Sequence, residues 1–244
     1  MVFSTRGIVL KSIKYGETSL IVSIFTEMFG IQSYLLNGIR KSGKLSSNIA
    51  MFQASSLLDL NVYHYELKNL QRIKEYKWSY LYSNILTDII KNAVAMYMVE
   101  LLQKCLKQPE PNLDLFEFCE DAFIYLDKSD SSITANFPLY FSIHLAHFFG
   151  FRLNDNYSKN YNILDLQEGA FTNINPTHGN ILDGKHSFAV SQILKAQHPN
   201  ELNEIKMNRE ARKEILNSFQ YYYGYHVQDF GSMKSMPIIQ AILS

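Results

Sequence analysis

Two cysteines are all that this 244-residue chain holds, and no apolar run approaches the roughly 18–20 residues that cross a bilayer. Cys105 and Cys119 are too few for a disulfide framework or a four-thiolate zinc centre. Both fall in apolar helical patterns and read as buried thiols. The N-terminus carries no apolar core ahead of a cleavage site, so a soluble cytoplasmic protein is expected. Net charge is also missing, because 23 Lys and Arg balance 23 Asp and Glu. G-x-S-x-G, H-E-x-x-H and a Gly-rich dinucleotide fingerprint are absent. No histidine lies near either cysteine in sequence to activate it, and no enzyme and no cofactor are expected.

What is present is apolar and aromatic: 47% hydrophobic residues, with 16 Tyr and 16 Phe. That composition excludes a disordered chain and supplies one large core or two modest ones. Charge is uneven along the chain. Residues 1–80 hold ten Lys and Arg against five Asp and Glu, a net +5, and the remainder holds 13 against 18, a net −5. A basic front and an acidic back suggest two modules with different partners, the acidic one a protein-docking surface.

The front reads as strands: Arg6–Lys14, Ser19–Thr26, Gly30–Asn37, Leu57–Tyr65 and Leu70–Tyr76. Ser19–Thr26 is apolar on both faces, which suits a central, covered strand. Leu58, Leu60 and Val62 alternate with polar neighbours. Five strands in about 75 residues fit a small OB-type barrel and, by spacing alone, an SH3-like one. From Ser79 the period changes to 3.6, with Ile85, Ile89, Ala93, Tyr97 and Leu101 on one face. That helix should end near Lys107, before Pro109 and Pro111. Asn112 can cap the next, and a third should begin with Pro138 in its first turn and end at Gly150. Residues 151–186, rich in Asn, Asp and Gly, read as irregular. Helices near Phe188–Gln197, from about Asn208, and at Met236–Leu243 complete the chain. The expected class is α+β and multidomain: a five-stranded barrel over 1–78, then an α-helical domain over 79–244 with an irregular insertion at 151–186.

Gly38–Leu45 is nearly a P-loop, but Leu45 replaces the metal-binding hydroxyl, so hydrolysis is disfavoured. His144 and His147 lie three apart in an aromatic helix and read as packing residues, and no metal site is expected. The basic residues carry more. Arg40, Lys41 and Lys44 sit in a Gly/Ser loop suited to gripping phosphates, and Lys11, Lys14, Arg72 and Lys74 extend the surface. Tyr15, Tyr34, Tyr63 and Tyr65 are candidate stacking residues, Tyr34 foremost. The alternative is an adaptor whose barrel binds a peptide along an exposed edge.

Several motifs together resemble the RecO family of recombination-mediator proteins: Arg6-Gly7-Ile8-Val9-Leu10-Lys11, Tyr15-Gly16-Glu17, Thr26-Glu27 with Gly30, and Gly38-Ile39-Arg40-Lys41. Further on, Tyr97-x-x-Glu100-Leu101-Leu102, Pro109-Glu110-Pro111-Asn112 and Phe149-Gly150-Phe151 resemble the family's helical core. The resemblance implies an N-terminal OB-fold and a C-terminal helical domain. It implies binding of single- and double-stranded DNA, annealing of complementary strands, and RecA loading with RecR on DNA coated by single-strand-binding protein, whose C-terminal tail is a partner. A nucleoid-associated place in the cytoplasm follows. Many members carry a four-cysteine zinc motif after the helical core. This chain has no cysteine beyond Cys119, so that motif is absent.

Overall fold

The computed structural model describes residues 1–39 and 49–243. Strands β1 (Val2–Tyr15), β2 (Ser19–Thr26), β3 (Gly30–Leu36), β4 (Leu57–Tyr63) and β5 (Leu70–Tyr80) close into a barrel of order β1-β2-β3-β5-β4. The β3–β5 pairing is parallel and the others are antiparallel. This is the OB-fold, which settles the choice that spacing left open. Val9, Leu20, Val22, Ile24, Tyr34, Leu58, Leu60 and Val62 fill its interior. Gly7 faces that interior, where an added Cβ would come within 2.7 Å of the Ile24 side chain and 2.9 Å of Leu60, so a larger residue would force the strands apart.

Two bulges decide which side chains face out. In β1 the register shifts between Val9 and Lys11. Val9 points inward, and simple alternation would send Lys11 inward with it; the bulge at Leu10 turns Lys11 and Ile13 outward instead. In β5 the register shifts between the Val62–Ile73 and Asn61–Glu75 pairs. Ile73 packs on the core before this shift and Tyr76 and Trp78 after it. Alternation had placed Tyr76 on the face of Arg72 and Lys74. The bulge moves it to the core, where its ring meets Phe52 at 4.9 Å.

The chain divides into two compact units, residues 1–84 with 106–127 and residues 85–105 with 128–244. In the first, helix α2 (Leu113–Lys128) covers part of the barrel, with Phe116 against Phe25 at 5.6 Å. Asn112 caps it through Leu115 N–H, as its sequence position suggests. Fully buried Asp127 accepts hydrogen bonds from Ser83 N–H at 2.9 Å, Asn84 N–H at 2.8 Å and the Tyr80 hydroxyl at 3.2 Å. It thereby ties the exit of β5 to this helix.

The second unit contains α1 (Ile89–Cys105), α3 (Ser131–Phe148), α4 (Gly184–Lys195), a 3-10 turn (Pro199–Asn203), α5 (Arg209–His226) and α6 (Met236–Ile242). Helix α3 starts earlier than Pro138 suggests, because Asp130 caps Ser132 and Ile133 N–H; the proline lies in the helix interior. The Tyr97 hydroxyl pairs with Ser142 Oγ at 2.7 Å, and the Tyr223 hydroxyl donates to Ser142 C=O, satisfying polar groups in the core. Glu100 accepts from Lys234 and Ser235 N–H at 2.8 and 2.7 Å, clipping the start of α6 to α1. Residues 151–186 are mostly loop but hold three short strands, β6 (Ile163–Asp165), β7 (Ala170–Thr172) and β8 (Ile181–Leu182), in the order β7-β6-β8.

Asp127→Ala would remove the buried acceptor that Ser83, Asn84 and Tyr80 share. We expect a loss of about 3 kcal/mol in urea unfolding. Exposed Asp121→Ala, on the same helix, should cost under about 0.5 kcal/mol. Equal losses would show that the Asp127 network carries no special weight.

Candidate nucleic-acid interface

Register assembles an open outer face on the barrel. One outward row runs Lys11–Ser23–Ser33–Leu70 across β1, β2, β3 and β5, and the next outward row runs Ile13–Ile21–Leu35–Arg72. Between them lies the inward row Ser12–Val22–Tyr34–Gln71. Lys11 and Arg72 are exposed, Ile13 and Leu70 are 50% and 38% exposed, and Ile21, Leu35, Ser23 and Ser33 are partly open. Three strand spacings of about 4.8 Å set the width of this face. Two cations border a surface of hydroxyls and short aliphatic side chains.

The cations of the barrel unit are not equivalent. Arg6 is consumed internally: Glu27 accepts from its Nη2 at 2.9 Å and its Nε at 3.1 Å, Glu120 takes its Nη1, and Glu117 lies 3.8 Å away. The hydrogen bond to Glu27 holds the guanidinium above its ordinary range, and the same bond lowers the Glu27 carboxyl. Burial raises Glu120 despite its contact with Arg6. Lys77 lies 3.4 Å from Asp59, and exposed Lys74 lies 3.9 Å from Glu75. Among the described residues, Lys11, Lys14 and Arg72 make no ion pair.

The sequence-based site residues therefore separate. Lys11 and Arg72 share the outer face, and Lys74 follows Arg72 on the same side of β5 at the bulge. Lys14 is exposed but follows the opposite alternation of β1, level with inward-facing Leu20 and Leu36. Arg40, Lys41 and Lys44, with most of the near-P-loop, lie outside the described residues. Tyr34 is a correction: it is fully buried in the barrel, burial raises its phenol, and no ring face is open to a base. Tyr15 and Tyr65 are the exposed rings, 54% and 48% open. Sequence reasoning did not single out Lys68, whose ammonium sits over the Tyr65 ring at 4.7 Å; its spacing of three from Tyr65 in a turn was the available signal. The alternative peptide-edge site meets a closed barrel in which each strand pairs on both sides along part of its length, leaving short unpaired stretches instead of a free edge strand.

The zinc motif of the wider family does not fit this chain. Both cysteines are buried in α1 and α2, and among the described residues no group of three His, Cys, Asp or Glu is placed to hold a metal. Hydrogen bonds brace residues 151–186 instead. Asp165 Oδ1 accepts from Gln167 and Glu168 N–H, and the other oxygen lies 3.3 Å from His178 Nε2. The Asn156 side chain exchanges bonds of 2.7 and 2.8 Å with the Phe171 backbone. His144 is half-buried with Nε2 3.1 Å from Ile193 C=O, and desolvation lowers its pKa; His147 is exposed.

Comparison with known proteins covers almost the whole chain. The family model described as Recombination protein O N terminal matches residues 1–82, and that described as Recombination protein O C terminal matches residues 86–236. The chain is 30% identical to the DNA repair protein RecO of Christiangramia forsetii over 99% of both chains, and 30% identical to that of Azobacteroides pseudotrichonymphae over the same share. It is 28% identical to that of Phocaeicola vulgatus over the full length of each.

Arg6 should be a stability residue. Glu27, lowered by Arg6, contributes fully above the ordinary glutamate range, and its contribution is lost as pH falls through the lowered value. Arg6→Met should cost about 1 kcal/mol near neutrality, with the deficit shrinking in acid. Thermal unfolding across pH measures this. Oligonucleotide affinity should stay within about twofold of wild type, and a large loss of affinity would put Arg6 in the interface.

Proposed function

Because the chain belongs to the RecO family of DNA repair proteins, we propose that the outer face of its barrel binds DNA, both single- and double-stranded. The observation that carries this is the pairing register. It places Lys11 and Arg72 on one outward surface without carboxylate partners among the described residues, while Arg6 and Lys77 are held by the protein's own acids. Two free cations beside serine hydroxyls suit backbone phosphates, and the partly open aliphatic residues suit base edges and sugars. Lys74 extends the phosphate track. We assign Arg40, Lys41 and Lys44 the same role on the strength of the sequence, and Lys14 a peripheral one.

The activity is binding and annealing, with no chemical step. Two complementary strands repel through their phosphates. A surface that neutralises phosphates displaces counterions and lowers that repulsion while the bases find register. In the cell this would serve repair: the protein meets single-strand-binding protein through that protein's C-terminal tail, acts with RecR, and promotes RecA loading in the cytoplasm at the nucleoid. Among the described residues no helix is long and apolar enough to cross a membrane.

Titrating an oligonucleotide at several salt concentrations tests the assignment. Lys11→Ala and Arg72→Ala should each weaken binding whatever the base sequence. Each should also flatten the dependence of log K on log salt by about 0.7 for a single strand. A double variant with wild-type affinity and slope overturns the outer-face assignment. A strand-annealing assay on the same proteins should show the same ranking.

A further inference from the structure

Just ahead of β4, residues 52–56 form a strap across the part of β1 that carries Lys11. Pairing of β1 with β4 stops at Ile8–Leu57. The next residue, Val9, is held by the strap: its N–H donates to Ser56 C=O at 2.9 Å, and its C=O accepts from Ser55 N–H at 2.8 Å. Two strap residues thus face one residue of β1, a bulge of the kind that ordinarily has glycine at its first position. Here that position is Ser55, with φ at 74°, in the left-handed region, and its hydroxyl is buried without a partner. On the far side of Lys11, the Ser12 hydroxyl donates to Phe52 C=O at 2.5 Å. Phe52 is 1% exposed, and its ring meets Tyr76 in the barrel core. Lys11 therefore stands between two attachments to one strap. Tyr82 closes the strap from behind: it is 6% exposed, and its hydroxyl donates to Ser55 C=O at 2.6 Å. Burial holds that phenol well above its ordinary pKa, so it stays a donor.

We propose that Tyr82 is a positioning residue for phosphate binding, acting through the Ser55 strap to hold Lys11 on the outer face. The inference rests on the outer-face reading and extends it to a buried residue. Lys11 faces out because the ladder of β1 with β2 shifts between Val9 and Lys11. Such a shift leaves local backbone short of its usual ladder partners, so the strand has to be held from elsewhere. Val9 borders the shift, and the strap supplies its hydrogen bonds. Ser55 gains nothing locally from its left-handed conformation and would relax if its carbonyl were released. The Tyr82 hydroxyl engages that carbonyl. Without it the strap loosens, Val9–Ser12 regains freedom, and ordering Lys11 becomes a cost of binding. Strain kept at a buried serine, next to the proposed phosphate contact, is explained by the geometry it imposes on β1.

The full-length protein is titrated with a single-stranded oligonucleotide at several salt concentrations, with Tyr82→Phe alone and combined with Lys11→Ala or Arg72→Ala. Tyr82→Phe removes one buried hydroxyl and keeps the ring. We expect it to weaken binding about fivefold in the wild-type and Arg72→Ala proteins, and to flatten the salt dependence toward that of Lys11→Ala. In the Lys11→Ala protein the same change should shift affinity by less than about twofold, because the contact it serves is already gone. Amide hydrogen exchange at Val9 and Ser55 should speed up, and unchanged exchange there overturns the strap as the route. Equal losses of affinity in both backgrounds overturn the proposal, since a merely destabilised barrel weakens every contact alike. If Lys11→Ala and Arg72→Ala reduce the salt slope but Tyr82→Phe binds as wild type, only the Tyr82 assignment fails. If neither Lys11→Ala nor Arg72→Ala alters affinity or slope, the outer-face reading fails and this inference with it. Should Tyr82→Phe not fold, Ser12→Ala cuts the strap's other attachment and is read by the same comparison.

Discussion

The parallel pairing of β3 with β5 is short, covering Ser33–Leu70, Tyr34–Gln71 and Leu35–Arg72, and the rest of the barrel depends on its register. It closes the OB-fold between segments far apart in sequence. Because the side-chain period along a strand is two, a slip of one residue would send Arg72 inward and turn Gln71 out. An unpaired guanidinium inside an apolar barrel would be very costly, so the core selects the register. The same pairing that buries Tyr34 and Gln71 exposes Leu35 and Arg72, and through the β1 bulge it places Lys11 on that surface. Core packing and the candidate interface are two sides of one ladder.

Charge is organised within the barrel unit, and the linear sequence misleads on this point. The basic front and acidic back suggested modules of opposite sign. The acidic stretch 106–127 folds with the barrel, so by sequence the first unit holds eleven cationic and eleven anionic side chains and the second holds twelve of each. The helical unit is therefore not an acidic module. Within the barrel unit, Glu117 and Glu120 from α2 meet Arg6, which removes one cation from the nucleic-acid account and fastens the helix to β1. Lys11 and Arg72 have no such partner among the described residues, and an anion gains most from cations that the fold has left unspent.

Residues 151–186 are held by hydrogen bonds to their own backbone and by a small apolar cluster. Asp165 and Asn156 bind backbone groups across tight turns, and Leu164, Leu166, Phe171 and Leu182 are buried beside them. Such bonds satisfy backbone groups that a loop would otherwise leave unpaired.

Local signals decided much of this protein from the sequence. Alternating apolar residues and turn glycines mark the five strands, Asn112 and Asn208 mark helix starts, and the spacing of Ala93, Tyr97 and Leu101 marks α1, which begins at Ile89, later than the change of period near Ser79 suggests, with Ile85 outside it and Ile89 exposed. These depend on neighbours a few residues away, which a sequence displays directly. Tertiary structure alone decided facing and partnership. Tyr34 reads like any sheet tyrosine until closure buries it, and Tyr76 belongs with Arg72 until a bulge turns it away. Arg6 and Arg72 are alike in sequence, yet one is spent on Glu27 and Glu120 and the other faces water. Bulges, closure and ion pairing join residues distant in sequence, and the free energy that selects among them is the burial of the whole core, which no local pattern encodes.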